Sequence, residues 1–559
     1  RDLSETGLPC TRTLEVPGAL FLAGAPQDQV LECADVPEGS GFLLGIALAE
    51  DGRRLSLAAL AARWQADPQF QPDGCFVAAL RMRDGRLHVA ADPLGVLPVF
   101  YHQLPDGTWL VAGAPRDLRA HPAMRFVPCP LGIAGQLLLN SSLGRHTVVE
   151  GVHLLQPREQ LHLRPGQTAV PSAAPLPEAH VPARFEDAVD QFAVLWPRSL
   201  RQTAAITAGQ PVDLMLSGGR DSRQLLADLR QVQTRIRLFT FGLPGENEVR
   251  AAKAVARHFH SHRLLRVDDR DPSIILKSWA QRAGRMAVHG GGTCGVTAPH
   301  PRMRPWIYHG ILHDDLFGGY AAQFAKDPDT GELTAESFYS KLNRWGFPPE
   351  TLAALFRDPA HQPLGAELLA ARMQAFRTHP GGPAQASFDE KFATRGRGHL
   401  GSAILSLSRQ TWPLTPAFSQ ELIAFLRALP LDFIADRRLQ NAWMAREHPA
   451  LLKIPFDNNT GNFSADLSSR FWPAWRRSPR LAQPLRYHRM LSMNHPAWQQ
   501  IYRETLPKRE RLHGLMDANQ LRKLWPDDPA SLKVKNPFAE LAGLRSLMAL
   551  AHFFSEVSP

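Results

Sequence analysis

Ser217-Gly218-Gly219-Arg220-Asp221-Ser222 is the stretch whose residue types and spacing carry chemistry most directly. Its glycines let the backbone come close to an anion, and its serines add hydroxyl donors. A helix starting here would contribute free N–H groups and the positive end of its dipole. Together these make a cradle for pyrophosphate, with Leu216 leading into it. The spacing is not the G-x-x-x-x-G-K-[ST] of a Walker A loop. The competing reading is an ordinary strand-to-helix turn capped by Asp or Ser. Asp221 has a second candidate role, because a carboxylate beside phosphates can hold Mg²⁺, which takes few protein oxygens and completes its shell from phosphate. Later, Gly310-Ile311-Leu312-His313-Asp314-Asp315-Leu316-Phe317-Gly318-Gly319-Tyr320 supplies two adjacent carboxylates, either a partner for Asp221 or a helix cap. His313 is a candidate proton acceptor, since an unperturbed imidazole titrates near neutrality; alternatively it packs or hydrogen-bonds.

These residues need elements to position them. Val212-Asp213-Leu214-Met215-Leu216 reads as a short buried strand entering the loop, and Leu225, Leu226 and Leu229 predict a helix leaving it. A strand over 238–241 and a helix over 248–259 follow. Upstream, Phe185, Ala188, Val189, Phe192 and Trp196 share a helical face. Alternating strand and helix predicts an α/β fold with a parallel sheet. Beyond Ser337 the chain reads as largely helical. The first part is strand and turn instead: 42–48, 76–81, 87–91, 96–101 and 109–112, with Asp-Gly turns at 84–85 and 106–107. The Pro- and Ala-rich stretch 164–184 reads as a linker or an ordered surface crossover, dividing 1–163 from 185–559.

The chain has 559 residues, too many for one core. Its apolar share of 44% and charged share of 21% are those of a soluble globular protein. No apolar run is long enough to span a membrane. Arg1-Asp2-Leu3-Ser4 lacks a signal-peptide pattern and is not a natural start, so upstream residues are expected to be missing. Five widely spaced cysteines without C-x-x-C argue against a disulfide framework or zinc site and fit a reducing cytoplasm. The net charge of +10 suits an anionic partner, but the basic residues are scattered, so nucleic acid is not expected. His258, His260 and His262 read as a surface cluster rather than a metal site; Arg220, Arg223 and Arg230 are candidates to bind phosphates or an acidic substrate, with most expected to be solvated helix positions. His289-Gly290-Gly291-Gly292 looks like a lipase oxyanion loop, yet no G-x-S-x-G elbow accompanies it. A shaping role beside the acyl substrate is expected there.

Ser217–Ser222 resembles the S-G-G-x-D-S signature of PP-loop ATP pyrophosphatases, and the wider chain resembles the asparagine synthetase family. Segment 310–320 is similar to that family's G-E-G-A-D-E-L-F-G-G-Y, where the first aspartate binds magnesium. The resemblance implies ATP and Mg²⁺ as cofactors, Asp221 and Asp314 as metal ligands, and Leu216, Ser217, Gly218, Gly219, Asp221, Ser222, Phe241 and Gly310 as ATP-binding residues. Lys453 would take the place of a pyrophosphate-binding lysine. Residues 73–78, 91–101 and 151–157 resemble segments of the family's glutaminase domain, implying an N-terminal-nucleophile (Ntn) αββα sandwich ahead of a PP-loop synthetase domain.

Departures shape the functional expectation. The chain shows no N-G-E-I-Y-N or R-G-P-D glutamine pocket, and its first cysteine is Cys10, so the glutaminase domain is expected to be inactive. Ile311 stands where asparagine synthetases carry glutamate and β-lactam synthetases tyrosine, so the base must come from elsewhere or the amine must arrive neutral. The expected activity is an AMP-forming ligase that adenylates a carboxylate and couples it to an amine. A lasso peptide macrolactam cyclase is the first expectation, with a leader-peptide-binding or protease partner. The alternatives are a small-molecule amide or β-lactam synthetase, an asparagine synthetase-like amidotransferase, a tRNA-modifying PP-loop enzyme and an inactive scaffold.

Overall fold

The computed structural model describes residues 8–164, 166–167, 171–242, 247–261, 264–267, 302–318, 330–343, 345–456, 495–532 and 537–557, with 272, 273, 276, 279, 283 and 327 besides. Gly319, Tyr320, His262 and the 289–292 segment lie outside the described residues.

The first part is layered. β1 (Cys10–Val16) and β2 (Ala19–Ala25) form an antiparallel hairpin. β3 (Leu31–Val36), β4 (Gly39–Gly45), β5 (Phe76–Met82) and β6 (Leu87–Ala91) belong to an antiparallel six-stranded sheet. β7 (Phe100–Gln103), β8 (Trp109–Ala112) and β9 (His153–Leu154) make a three-stranded one. β10 (Glu159–Leu163) and β11 (Ser172–Ala173) complete the larger sheet. Period-2 alternation assigns each face. On β5, Phe76, Ala78, Leu80 and Met82 pack with Leu57, Leu60, Ala61 and Trp64 of α1 (Leu57–Ala66), while Ala79 joins Val99 and Tyr101 on the opposite face. On β7, Tyr101 faces the larger sheet, and Phe100 packs with Ile133, Leu137 and Leu138 of α2 (Pro130–Leu139). The order is therefore helix, sheet, sheet, helix.

The structure bears on two sequence readings here. The 96–101 run is a strand only from Phe100, because the Asp92 carboxylate accepts the Leu94, Val96 and Leu97 amides and holds that stretch as a loop. The 164–184 stretch supplies β11, which pairs with β10, so it is an ordered crossover adding an edge strand.

The second part holds a five-stranded parallel sheet. Its strands are β12 (Val212–Met215), β13 (Ile236–Phe241), β14 (Leu264–Val267), β15 (Trp306–Tyr308) and β16 (Trp412–Leu414), in the order β14-β13-β12-β15-β16. β12 is buried along its whole length. Asp213 tolerates that position because Arg237 grips both its oxygens, at 2.8 and 2.9 Å. β16 lies within the region read as helical; its Pro413 fits because the strand is at the sheet edge.

α3 (Phe185–Ala205) precedes this sheet, α4 (Arg220–Leu229) follows β12, and α5 (Asn247–His258) follows β13. The largest apolar cluster draws residues from Ala23 to Leu451, so both parts share it. Gly45 marks one close approach between them: a Cβ there would come within 2.6 Å of the Trp412 ring. Among the described residues, no helix is long and apolar enough to cross a membrane.

Candidate active site

The strand order places the site. From β12 the chain moves through β13 to β14 on one side, then returns to β15 on the other. The loops leaving the carboxyl ends of β12 and β15 therefore part, and ligands of open parallel sheets bind in the crevice between them. One loop carries Ser217–Gly219 and the other His309–Leu312.

The first loop is held by its own serines. Ser222 Oγ accepts the Ser217 amide at 3.0 Å and lies 3.0 Å from Ser217 Oγ, which accepts the Gly219 amide at 3.1 Å. Gly219 is the N-cap of α4 and no side chain caps the helix, so its first amides remain available to an anion. The second loop lies directly against the first. A Cβ on Gly310 would come within 3.0 Å of Asp221 Cβ and 3.2 Å of the Ser222 amide. Gly310→Val is therefore expected to push the loops apart and reduce ATP-dependent turnover by about 10²-fold, with little change in the unfolding midpoint; activity at saturating ATP checks it.

Asp221 and Asp314 come together, but through a residue the sequence reading passed over. Arg437 donates from Nη1 to Asp221 Oδ1 at 2.8 Å and from Nη2 to Asp314 Oδ1. Gln440 donates to the same Asp221 oxygen at 2.9 Å. The Arg437 side chain is 2% exposed. Burial opposes its charge, yet the two carboxylates overcome that and raise its pKa. Two hard-oxygen donors converging on one cation are a donor set that Mg²⁺ accepts alongside phosphate oxygens. Among the described residues, no group of three or more His, Cys, Asp or Glu side chains could hold a metal.

The arginines of α4 correct the expectation of solvated positions. Arg223 is fully buried. It donates to the Gly218 and Gly219 carbonyls at 2.9 and 3.2 Å and to those of Leu451, Ile454 and Pro455 at 3.0, 2.9 and 3.1 Å, with Phe456 stacked 3.7 Å from its guanidinium. It thus straps the 451–455 segment onto the Ser217–Ser222 loop. Lys453 is exposed within that segment. Arg220 is buried over the same ring at 5.2 Å, and burial and the Arg437 charge pull its pKa down to about 9. Arg230 alone is exposed.

The proton-transfer expectation for His313 is also corrected. Its ring is buried against Trp196 and Phe317, and Nε2 lies 2.9 Å from Thr415 Oγ1. Burial, aided by the Arg437 charge, lowers its pKa to about 3, and His309 is lowered alike. Both imidazoles stay neutral and enclosed at physiological pH. Asp315 pairs with buried Lys391. Ile311 is half-buried against Met215, Phe241 and Ile307. Phe241 is itself buried in that cluster at the end of β13.

A family model described as asparagine synthase matches residues 198–281. That span runs from within α3 through β12, the Ser217–Ser222 loop and α4 to β13, α5 and β14. The match supports a relation to the asparagine synthetase family, whose members are ATP-dependent ligases. No curated protein matches the chain.

Proposed function

We propose that the chain is an ATP-dependent, AMP-forming amide synthetase. The observation that carries this is the convergence of Asp221 and Asp314 beside an uncapped helix start at the parallel-sheet crevice. The Ser217–Ser222 loop and the α4 amides take the polyphosphate of ATP. Asp221 and Asp314 would hold Mg²⁺, which supplies charge neutralisation of the phosphates. A substrate carboxylate attacks the α-phosphorus, pyrophosphate leaves, and an amine then displaces AMP from the acyl-adenylate. The protein's part is positioning and charge stabilisation. Phe241 and Gly310 border the nucleotide, and Lys453 faces the leaving pyrophosphate. The αββα first part is read as an Ntn-type domain without glutaminase activity.

The substrate class proposed is a peptide that supplies both carboxylate and amine, as lasso peptide cyclases take. The +10 charge suits an acidic peptide. ATP–pyrophosphate exchange tests this. Exchange with precursor peptides alone supports it. Exchange with aspartate or another small carboxylate moves the substrate to a small molecule. No exchange together with no ATP binding rejects adenylation.

With His309 and His313 enclosed and lowered to about 3, neither provides a titrating base near neutrality. The amine must then attack in its neutral form. For an α-amine, amide formation is expected to rise with pH through about 8, the pKa of the substrate, with no limb near 6.5. A kcat/KM profile checks this, and a limb near 6.5 that disappears in His313→Gln would reject it.

A further inference from the structure

We propose that Arg437 is an internal cation that occupies the metal-binding face of Asp221 and Asp314 and is exchanged for Mg²⁺ when the nucleotide binds. The inference rests on the functional reading above. Three observations support it.

First, the guanidinium spends one nitrogen on each carboxylate, Nη1 on Asp221 Oδ1 and Nη2 on Asp314 Oδ1. A fork of this kind bridges two carboxylates as a divalent cation does, but its single charge leaves one negative charge unbalanced, which a divalent cation would cancel. Second, the position is built at some conformational cost. Asp436 and Arg437 have φ of 52° and 59°, left-handed values that non-glycine residues seldom adopt. They swing the side chain inward just ahead of the helix Arg438–Glu447, whose Gln440 also reaches Asp221. Third, the arrangement is incompletely satisfied. Arg437 Nε is buried without a hydrogen-bond partner, a donor kept beside the phosphate loop where a polyphosphate oxygen would satisfy it.

Electrostatics gives the exchange its direction. Arg437 already repels Arg220. Polyphosphate entering the loop attracts both arginines and brings Mg²⁺ with it. The carboxylates then pass from guanidinium to metal, and Arg437 turns to the phosphates. In the absence of nucleotide, the arginine competes with free divalent cations and keeps their affinity low. Arg437 is thus a positioning residue that couples metal binding to nucleotide binding.

The test measures metal affinity directly. Mn²⁺ binding to the full chain is titrated without nucleotide, by calorimetry or electron paramagnetic resonance. Arg437→Gln is expected to bind Mn²⁺ at least about tenfold more tightly than the wild type, and Arg437→Gln combined with Asp221→Asn to lose that gain. Should Arg437→Gln fail to fold, Arg437→Lys reads the same quantity. One ammonium cannot span both carboxylates with two parallel bonds, so its Mn²⁺ affinity is also expected to exceed the wild-type value. Unchanged Mn²⁺ affinity in the folded variants overturns the proposal and leaves a structural ion pair. Pyrophosphate exchange by the wild type is scored separately. Exchange without a Mn²⁺ gain rejects only the Arg437 exchange. A Mn²⁺ gain without exchange or ATP binding rejects the synthetase reading.

Discussion

Asp221→Asn is expected to reduce ATP–pyrophosphate exchange by about 10³-fold or more, while the protein stays folded. The asparagine keeps an oxygen where Arg437 and Gln440 donate, at 2.8 and 2.9 Å, so the contacts of the α4 start survive. What disappears is one of the two negative charges that converge on a cation. A metal supplies several kcal/mol of charge stabilisation to a phosphoryl transition state, and each ~1.4 kcal/mol is tenfold in rate. Losing half the donor set removes much of that. The Arg437 charge retains Asp314 as partner, so the stability cost is expected to stay near ~1–3 kcal/mol, the range for a weakened buried interaction. Exchange assays with a thermal scan of the same preparation separate the two effects. A variant that exchanges at the wild-type rate would remove Asp221 from the mechanism.

Arg223→Met is expected to act in the opposite manner, mainly on structure. Methionine keeps an unbranched apolar stem but is shorter than arginine and donates nothing. Five carbonyls on two distant segments would lose their donor together: Gly218, Gly219, Leu451, Ile454 and Pro455. Some of these carbonyls stay buried, and unsatisfied groups cost about 1–3 kcal/mol each. A total of about 3–5 kcal/mol is expected, the range for breaking a buried charged network. The segment around Lys453 should also come away from the loop. The measurement is limited proteolysis with mass spectrometry, with new cleavage expected within 448–456 and a lower unfolding midpoint. Wild-type protection of that segment would show that the strap is dispensable. If the segment is cleaved, an accompanying loss of pyrophosphate exchange would follow from its detachment rather than from altered chemistry.

Much of this site could be read locally. The β12 strand, the Ser217–Ser222 loop and α4 are contiguous, and each is specified by patterns a few residues long: an apolar run, small residues at a turn, leucines at helical spacing. The strand at β6 and the helix at α5 were legible for the same reason. The pairing of Asp221 with Asp314 was reachable through resemblance, since neither spacing nor periodicity joins residues so far apart. Three features had no local signal. Arg437 lies 216 residues from Asp221 and 123 from Asp314, and its turn depends on a left-handed pair that non-glycine residues do not announce. Arg220 and Arg223 read as solvated because polar residues on a helix usually are; α4 is instead enclosed nearly all round, and Arg223 is compensated by carbonyls more than 200 residues away. For His313 the residue type left open a proton acceptor or a packed, hydrogen-bonded ring, whereas its surroundings are set by Phe317 one turn on and by Trp196 and Thr415 from two distant segments. The sequence by itself determined which backbone can cradle an anion, because strand, turn and helix preferences act between near neighbours. Only the tertiary structure decided which side chains carry charge there and which are shut away, because burial and ion pairing are set by segments that meet only when the chain is folded.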